Sequence, residues 1–380
     1  MSLDADVLIL GGSCAGLSLA AALSERAPKL HVKTLEGRSH YSRDRTWCFW
    51  NTAQHPFSAG VTHRWHSWRV RHAEGEARQH SRRYSYQHLP ADHFYELAAE
   101  KIYRAGQELA LGVEVHSVEG KGGACEVETS QGKLRSRWVF DSRNPEVGEQ
   151  KSILEQRFIS WHVRTERACF DASVVDLMDF QISRERGRTA FFIRSAFSAT
   201  EALVEATFLD HPKLLPADAE AMLCQYMRQL SSTDYRVLYG EAATLPMGVY
   251  RTHRHAQGSV VNIGTRGGRL KASSGYAFQR IQRQSAAFAD ALAKQAPLPQ
   301  TFEPRFYSIL DQIFLRALQS APDRVASYFM MMFRKLPPDT LVRFLSETAS
   351  PGEVLQVMLS LPKSDFLKAA ILPNFSEKNV

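Results

Sequence analysis

The sequence predicts a mixed α/β fold in three parts: a discontinuous nucleotide-binding unit, an antiparallel β domain interleaved with it, and a C-terminal helical region. Three observations carry that reading. Residues Asp6 to Gly16 run Asp-Val-Leu-Ile-Leu-Gly-Gly-Ser-Cys-Ala-Gly, an apolar strand closed by a glycine turn. From Phe158 to Leu209 short stretches alternate apolar and polar residues, the period of strands with two unlike faces. After Pro297 apolar residues recur at helical spacing.

The opening strand, Val7 to Leu10, feeds a tight turn at Gly11 and Gly12, and Leu17 to Leu23 forms the helix that follows. Gly16 lets that helix approach the strand, and its N-terminal N–H groups point at a pyrophosphate. Ser13, where the pattern has its second glycine, and Ala15 complete the turn; serine is small and can donate a hydrogen bond. A second strand, Val32 to Leu35, ends at Glu36, 20 residues beyond Gly16, whose carboxylate can accept the hydrogen bonds of a ribose. A lone glycine fingerprint is a weak signal, whereas strand, turn, helix and acid in this order make a strong one. Val7 to Ser24 carries no charge and could be read as a signal peptide or a membrane span. Asp4 and Asp6 precede it instead of lysines, and three glycines break it, so targeting is rejected. No other stretch is long and apolar enough to cross a bilayer.

The 380 residues are 44% hydrophobic and 23% charged, the proportions of a globular enzyme of two or three interlocked domains. Five scattered cysteines, without C-x-x-C or zinc spacing, predict reduced thiols, a cytoplasmic setting and no metal. The net charge of +7 is densest from His63 to Arg83. Nucleic acid is one partner for such a run. An anionic membrane surface is another, at about 1 kcal/mol for each basic residue near the lipid. The simpler reading is a β-hairpin with one wet basic face: Trp65 to Arg71 alternate, Glu74-Gly75-Glu76 turn, and Arg82 to Gln87 alternate again. Neither a nucleic-acid partner nor an obligate protein partner is expected.

Asp92 is expected to cap a helix to Arg104 with Phe94, Leu97, Ala98 and Ile102 on one face. Strands follow at Val113–Val118 and Cys125–Thr129, and after a Gln131-Gly132 turn Arg137 to Asp141 returns to the nucleotide-binding sheet. Ala217 to Leu230 is a helix. A buried strand from Val260 leads into a second glycine turn, Gly264-Thr265-Arg266-Gly267-Gly268, and Ser274-Gly275-Tyr276-Ala277-Phe278 opens a long helix. Two glycine turns in a split nucleotide-binding fold suit a large two-part cofactor, for which FAD is the natural candidate. Helices then run Phe306 to Leu318, Val325 to Phe333, Thr340 to Leu345 behind Asp339, and Val354 to Leu361, with a last one capped by Ser364. Ser350-Pro351-Gly352-Glu353 is a capping box with proline at the first helical position. Residues Pro373 to Val380 are expected to be disordered. The cofactor domain is assigned to 1–40, 89–145 and 246–296, the substrate domain to 41–88 and 146–245, and the helical region to 297–374.

Further motifs are Asp44-Arg45-Thr46-Trp47-Cys48-Phe49-Trp50, Tyr84-Ser85-Tyr86, Val139-Phe140-Asp141-Ser142-Arg143, Leu177-Met178-Asp179-Phe180 and Ala202-Leu203-Val204-Glu205-Ala206-Thr207-Phe208. Beyond these come Glu241 with Leu245-Pro246-Met247, Ser273-Ser274-Gly275-Tyr276, and Phe344-Leu345-Ser346-Glu347-Thr348. With the two glycine turns, and in this order, they resemble the flavin-dependent lycopene cyclases of bacteria and plants, which close β-rings on carotenoids. The resemblance runs through nearly the whole chain. It implies a glutathione-reductase-like FAD-binding fold, with FAD active in its reduced form and NADPH as external reductant. It implies cofactor contacts at Gly11, Gly12, Ser13, Ala15, Gly16, Glu36, Arg45, Asp141, Gly264, Gly267, Gly268, Gly275 and Tyr276. It also implies a very apolar polyene substrate and peripheral contact with the inner face of the cell membrane. The chain departs from the family at Ser13, at Ala272 where proline is usual, at Arg266 and Arg269 beside the second turn, and at Ser346 in place of a glutamate.

Cyclising a polyene end requires a proton delivered to an alkene, a cation that survives long enough to close the ring, and a base to take a proton afterwards. The acid must be a carboxyl whose pKa burial raises. Aromatic faces and a neighbouring anion stabilise the cation, and water must be kept out. Glu205, on the family's acidic strand, is the first candidate; a solvated strand face is its plain alternative, preferred without the resemblance. Glu347 is the second candidate, its alternative being a solvated charge at a helix end. Asp179 and Glu241 are further carboxyls that could orient or recharge the acid. Tyr328 to Phe333 reads most simply as core, otherwise as a tunnel wall or membrane-docking face. Two other functions share these motifs. One is a flavin redox enzyme, a monooxygenase or prenyl reductase, which has no need of the carboxyls. The other is a non-catalytic carotenoid or lipid carrier, which the altered glycine turn would suit.

Overall fold

The computed structural model describes residues 3–121, 123–144, 152–181, 189–209, 216–230, 234–248, 259–300 and 302–371. Strand β1 (Ala5–Leu10) leads through the first glycine turn into α1 (Cys14–Arg26), then β2 (Val32–Glu36). Every α1 residue from Cys14 to Ser24 is buried. The uncharged stretch is thus a buried strand, a glycine turn and a helix enclosed by protein, not a membrane segment. The chain then forms β3 (Thr46–Trp50), β4 (His63–Trp65), β5 (Ser67–His72), β6 (Gly75–His80), β7 (Tyr86–Pro90), α2 (Ala91–Arg104) and β8 (Glu108–Leu111). A meander follows: β9 (Val115–Lys121), β10 (Ala124–Thr129) and β11 (Gly132–Asp141). Next come β12 (Leu154–Thr165), β13 (Val175–Asp179), β14 (Thr189–Ala196), β15 (Glu201–Leu209), α3 (Pro216–Leu230), β16 (Tyr235–Met247), β17 (Val260–Asn262) and α4 (Phe278–Ala293). Helices α5 (Arg305–Ser320), α6 (Val325–Lys335), α7 (Pro338–Leu345), α8 (Pro351–Ser360) and α9 (Lys363–Ile371) close the described chain.

These strands make three sheets. The nucleotide-binding sheet runs β8-β2-β1-β11 in parallel, and β11 gives its other edge first to antiparallel β10 and then to parallel β17. The large sheet is ordered β16-β12-β15-β14-β13-β5-β6, antiparallel except where β13 meets β5. A small sheet, β3-β7-β4, bridges the two. The architecture is a mixed α/β fold in which a nucleotide-binding sheet and a large antiparallel sheet are interleaved, with α5 to α9 packed beside the large sheet.

Several local expectations are corrected. The basic hairpin pairs β5 with β6, not with residues 82 to 87. Gly75 adopts φ +122°, which closes the turn early, and Ser81 Oγ then accepts the N–H groups of Arg83 and Tyr84 and diverts the chain into β7. Nor is its basic face simply wet: Arg69 is paired with Asp176, and Arg71 with Asp179 at 3.1 Å. Asp92, Asp339 and Ser364 cap nothing. Prolines 90 and 337 hold the N-cap positions of α2 and α7, and α9 begins one residue before Ser364. Asp92 pairs instead with Arg43 at 3.2 Å, and Asp339 accepts a hydrogen bond from Ser81. The Ser350 capping box is present with both of its hydrogen bonds. Strand β16 was not anticipated: as an edge strand it exposes residues on both faces, so its sequence lacks clean alternation. The tail expected to be disordered lies outside the described residues.

Candidate active site

A continuous cavity of about 1340 Å³ runs from the first glycine turn past the small sheet and across one face of the large sheet to α5–α9. At its nucleotide end, Gly11 takes φ +90° and a Cβ on Gly16 would overlap the Gly11 carbonyl oxygen, so only glycine permits this approach of helix to strand. The two glycine turns touch: a Cβ on Gly264, at φ +62°, would lie 2.6 Å from the Ala15 methyl. Glu36 ends β2 with its carboxylate folded back on the turn, accepting the Gly12 N–H at 2.6 Å and Arg38 Nε at 3.0 Å. Burial alone would raise its pKa; the Arg38 guanidinium and the Gly12 amide hold it below the ordinary carboxylate value.

Of the predicted cofactor residues, Gly11, Ser13, Ala15, Glu36, Arg45, Gly275 and Tyr276 line the cavity. Gly12, Gly16, Asp141, Gly264, Gly267 and Gly268 stand behind that wall and set its shape. Asp141, for example, is tied up by Arg143 at 2.8 Å and Arg266 at 3.5 Å. Ser13 sits at the N-cap of α1 without using its hydroxyl as a cap. Free helix N–H groups, a turn that a Cβ would fill and an acid aimed at it together fit the pyrophosphate and ribose of a dinucleotide such as FAD.

The large sheet supplies the second wall. Glu205 on β15, Ser160 on β12 and Glu241 on β16 lie in one cross-strand row, since Ser160 is in register with both carboxyls. Glu205 accepts a hydrogen bond from Thr207 at 2.7 Å and Glu241 one from Tyr239 at 2.9 Å. Around them are Phe158, Phe191, Ile193, Leu203, Leu209 and Leu245. Burial pushes Glu205 up to about 8, against the Thr207 hydrogen bond and with Glu241 adding to the rise. Burial likewise pushes Glu241 up to about 7, against the Tyr239 hydrogen bond. Across the cavity Trp50 meets Tyr86 and Tyr276 edge-on at 4.9 and 5.8 Å between ring centres.

Glu347 also reaches the cavity, but in a different state. It is buried, and Lys271 at 3.5 Å, Arg280 at 2.8 Å and Arg283 at 3.5 Å surround it. Burial opposes its ionisation, yet these three cations hold it below the ordinary carboxylate range. It stands just past α7 at φ +64°, with Glu347 N–H bonded to Phe344 O and Thr348 N–H to Arg343 O. That is a helix C-terminus of the Schellman type, with glutamate where glycine is favoured. Asp179 is not on the cavity wall: Arg71 and Tyr226 each donate to its Oδ2 at 3.1 Å. Sequence reasoning missed Ser160, Thr207, Tyr239, Lys271 and Arg280. Thr207 and Tyr239, two residues from a glutamate on the same strand, could have been found by alternation; the other three depend on tertiary pairing.

By fold, the chain is similar to a geranylgeranyl bacteriochlorophyll reductase-like protein of Thermoplasma acidophilum (TM-score 0.69, 10% identity, covering 96% of this chain and 98% of that one). A flavoprotein/dehydrogenase of Cytophaga hutchinsonii matches at TM-score 0.61 and 14% identity over 96% and 99% of the two chains. A p-nitrophenol 4-monooxygenase of Pseudomonas putida matches at TM-score 0.58 and 16% identity, again over 96% and 99%. Sequence comparison with curated proteins finds no match. The family model described as lycopene cyclase protein matches residues 6–371, and the chain belongs to that family.

Proposed function

We propose that this protein cyclises the linear ends of lycopene, or of a related polyene or prenyl chain, to β-ionone-type rings without net redox change. The Glu205 carboxyl gives its proton to the terminal alkene. The resulting cation is attacked by a second double bond of the same chain, which closes the ring, and loss of a ring proton to a carboxylate restores neutrality. Protons gained and lost balance, so the reaction is an isomerisation. Bound FAD, reduced by NADPH, would supply an electron-rich neighbour for the cation. The residues named above would hold it, from Gly11 to Gly16, with Glu36 at the ribose and Arg45, Gly275 and Tyr276 on the cavity wall. The observation that carries this reading is the pair of carboxyls with raised pKa on a mostly apolar and aromatic wall. Flavin hydroxylation has no use for such a pair.

The substrate partner is taken to be a very apolar polyene and the setting cytoplasmic, with peripheral contact at the inner membrane face. Leu355, Met358, Leu359 and Leu367 are exposed and line the cavity, so an apolar chain could pass from lipid into the site without crossing water. Among the described residues no helix is long and apolar enough to cross a membrane.

Expression in cells that accumulate lycopene, followed by pigment analysis, tests the reading. The wild-type chain is expected to yield cyclised carotenoid and, in D2O, to incorporate a solvent deuteron in the first ring made at each active site. Glu205→Gln keeps the shape but cannot supply the proton, and is expected to lower ring formation by roughly 10²–10⁴-fold while still binding FAD. The fold it shares with a reductase-like protein and a monooxygenase favours a second reading, flavin redox chemistry. Stoichiometric NADPH consumption by the wild type would establish that reading instead. Polyene binding with no product under fully reduced flavin would mark a carrier.

A further inference from the structure

The cyclisation above leaves its own residue pair in the wrong state. After each ring Glu205 has lost a proton and the base has gained one. From the geometry of the wall we infer that Glu241 is the base and that the Ser160 hydroxyl returns the proton from Glu241 to Glu205, resetting the site between rings.

Ser160 is in register with Glu205 on one side and Glu241 on the other. Directly opposed residues in adjacent strands stand with Cβ atoms about 4.5–5.5 Å apart and side chains on the same face. The serine therefore lies between the two carboxyls, each a short side-chain reach away. It is fully buried, and its Oγ has no hydrogen-bond partner of good geometry. A buried hydroxyl without a partner gives up its hydration uncompensated, so the position is not explained by packing alone. Thr207 and Tyr239, each two residues along the same strand, bond to Oε1 of Glu205 and Oε2 of Glu241, so each hydrogen bond occupies one oxygen of its carboxyl. A hydroxyl can accept one proton while donating its own. Written out, Glu241–COOH gives its proton to Ser160 Oγ, the Ser160 hydrogen passes to the Glu205 carboxylate, and the serine is left as it began. The proximity of Ser160 to Glu241 also lowers that carboxyl's pKa, consistent with contact.

This inference rests on the proposed cyclisation, and the test separates the two. Holoenzyme with reduced FAD is mixed with excess lycopene in detergent, and the first ring per active site is timed against later rings. Ser160→Ala starts with a loaded acid, so the first ring is expected at the wild-type rate and later rings at least about 10-fold slower. Ser160→Thr, which restores the hydroxyl, is expected to restore the steady rate. If the alanine unsettles the sheet, Ser160→Val and Ser160→Thr make the same comparison, one shape without and with the hydroxyl. Equal slowing of first and later rings, or no slowing of either, would overturn the relay. A Glu205→Gln enzyme that makes its first ring at the normal rate would instead overturn the cyclisation chemistry on which it rests.

Discussion

Glu205 and Glu347 are carboxyls on one cavity, Glu205 half-buried and Glu347 buried, and their neighbours drive them to opposite charge states. Glu205 faces hydrocarbon and another acid, so it holds its proton to about pH 8. Glu347 faces three cations and is ionised. A proton donor must be protonated near neutral pH, so under the proposed cyclisation that role falls to Glu205 and leaves Glu347 a fixed negative charge. The pH profile of ring formation is expected to rise through about 7, where Glu241 becomes a base, and to fall through about 8 as Glu205 deprotonates. Measured rates from pH 6 to 9 check this. Stability follows the same sign. The folded state holds a Glu205 proton that the unfolded chain has released, so stability falls as pH rises through about 8. Thermal denaturation of Glu205→Gln is expected to lose less between pH 6 and 9 than that of the wild type. For Glu347 the sign is reversed: its contribution is present above the ordinary carboxylate value and is lost in acid. Replacing it with glutamine strands part of a buried cation cluster, and is expected to cost about 3 kcal/mol in denaturant unfolding at pH 7. Glu205 was legible in the sequence because an acid between apolar residues on a strand is conspicuous. The state of Glu347 was not, since Lys271, Arg280 and Arg283 lie about 64 to 76 residues away and only the fold brings them close.

At the scale of elements, α8 and α9 combine a fixed direction with an unsatisfied surface. The Ser350–Glu353 capping box sets where α8 starts, and Val354 and Val357 bury its inner face. The outer face exposes Leu355, Met358 and Leu359, and α9 adds Leu367 at 62% and Ile371 at 82% exposure. Contiguous apolar surface at a cavity mouth marks a contact site for lipid or protein, and Lys363 and Lys368 beside it favour an anionic surface. Each of these side chains is worth about 1.5–3 kcal/mol if fully buried. The combined change Leu355→Ser, Met358→Ser and Leu367→Ser is therefore expected to weaken sedimentation with anionic lipid vesicles by at least about 10-fold while leaving FAD binding intact. Helices such as these were readable from their spacing and caps. Edge strand β16 and the true partner of β5 were not, because edge pairing and turn closure leave little trace in apolar periodicity.

For the whole molecule, interleaving is the means by which the site is assembled. The chain leaves the nucleotide-binding sheet after β2, builds the small sheet and the β5–β6 hairpin, returns through α2 to β11, and departs again for the large sheet. Each excursion sends one wall back to the same space, so the glycine turn, the Glu205 row and the C-terminal helices face one cavity although they are far apart in sequence. Under the proposed function that cavity takes the reactive part of the cofactor together with substrate. It also has an apolar rim at α8–α9, so a long polyene can insert one end while its remainder stays in lipid, whose hydrocarbon core is about 30 Å thick. Under the proposed cyclisation, and with one such acid row among the described residues, the two ends of a symmetrical polyene cannot react together. The first end must leave, and the chain must reverse, before the second is closed. A one-ringed product is therefore expected to appear first and to decline as the two-ringed product grows. Diluting substrate-bearing vesicles with empty ones after the first ring, at fixed enzyme, should not change the first rate but should slow the second if reversal takes place in the membrane. Pigment composition followed by chromatography reads both rates. Simultaneous appearance of two rings from the earliest time would require a second acid site or a second mouth, and would rule out single-ended entry.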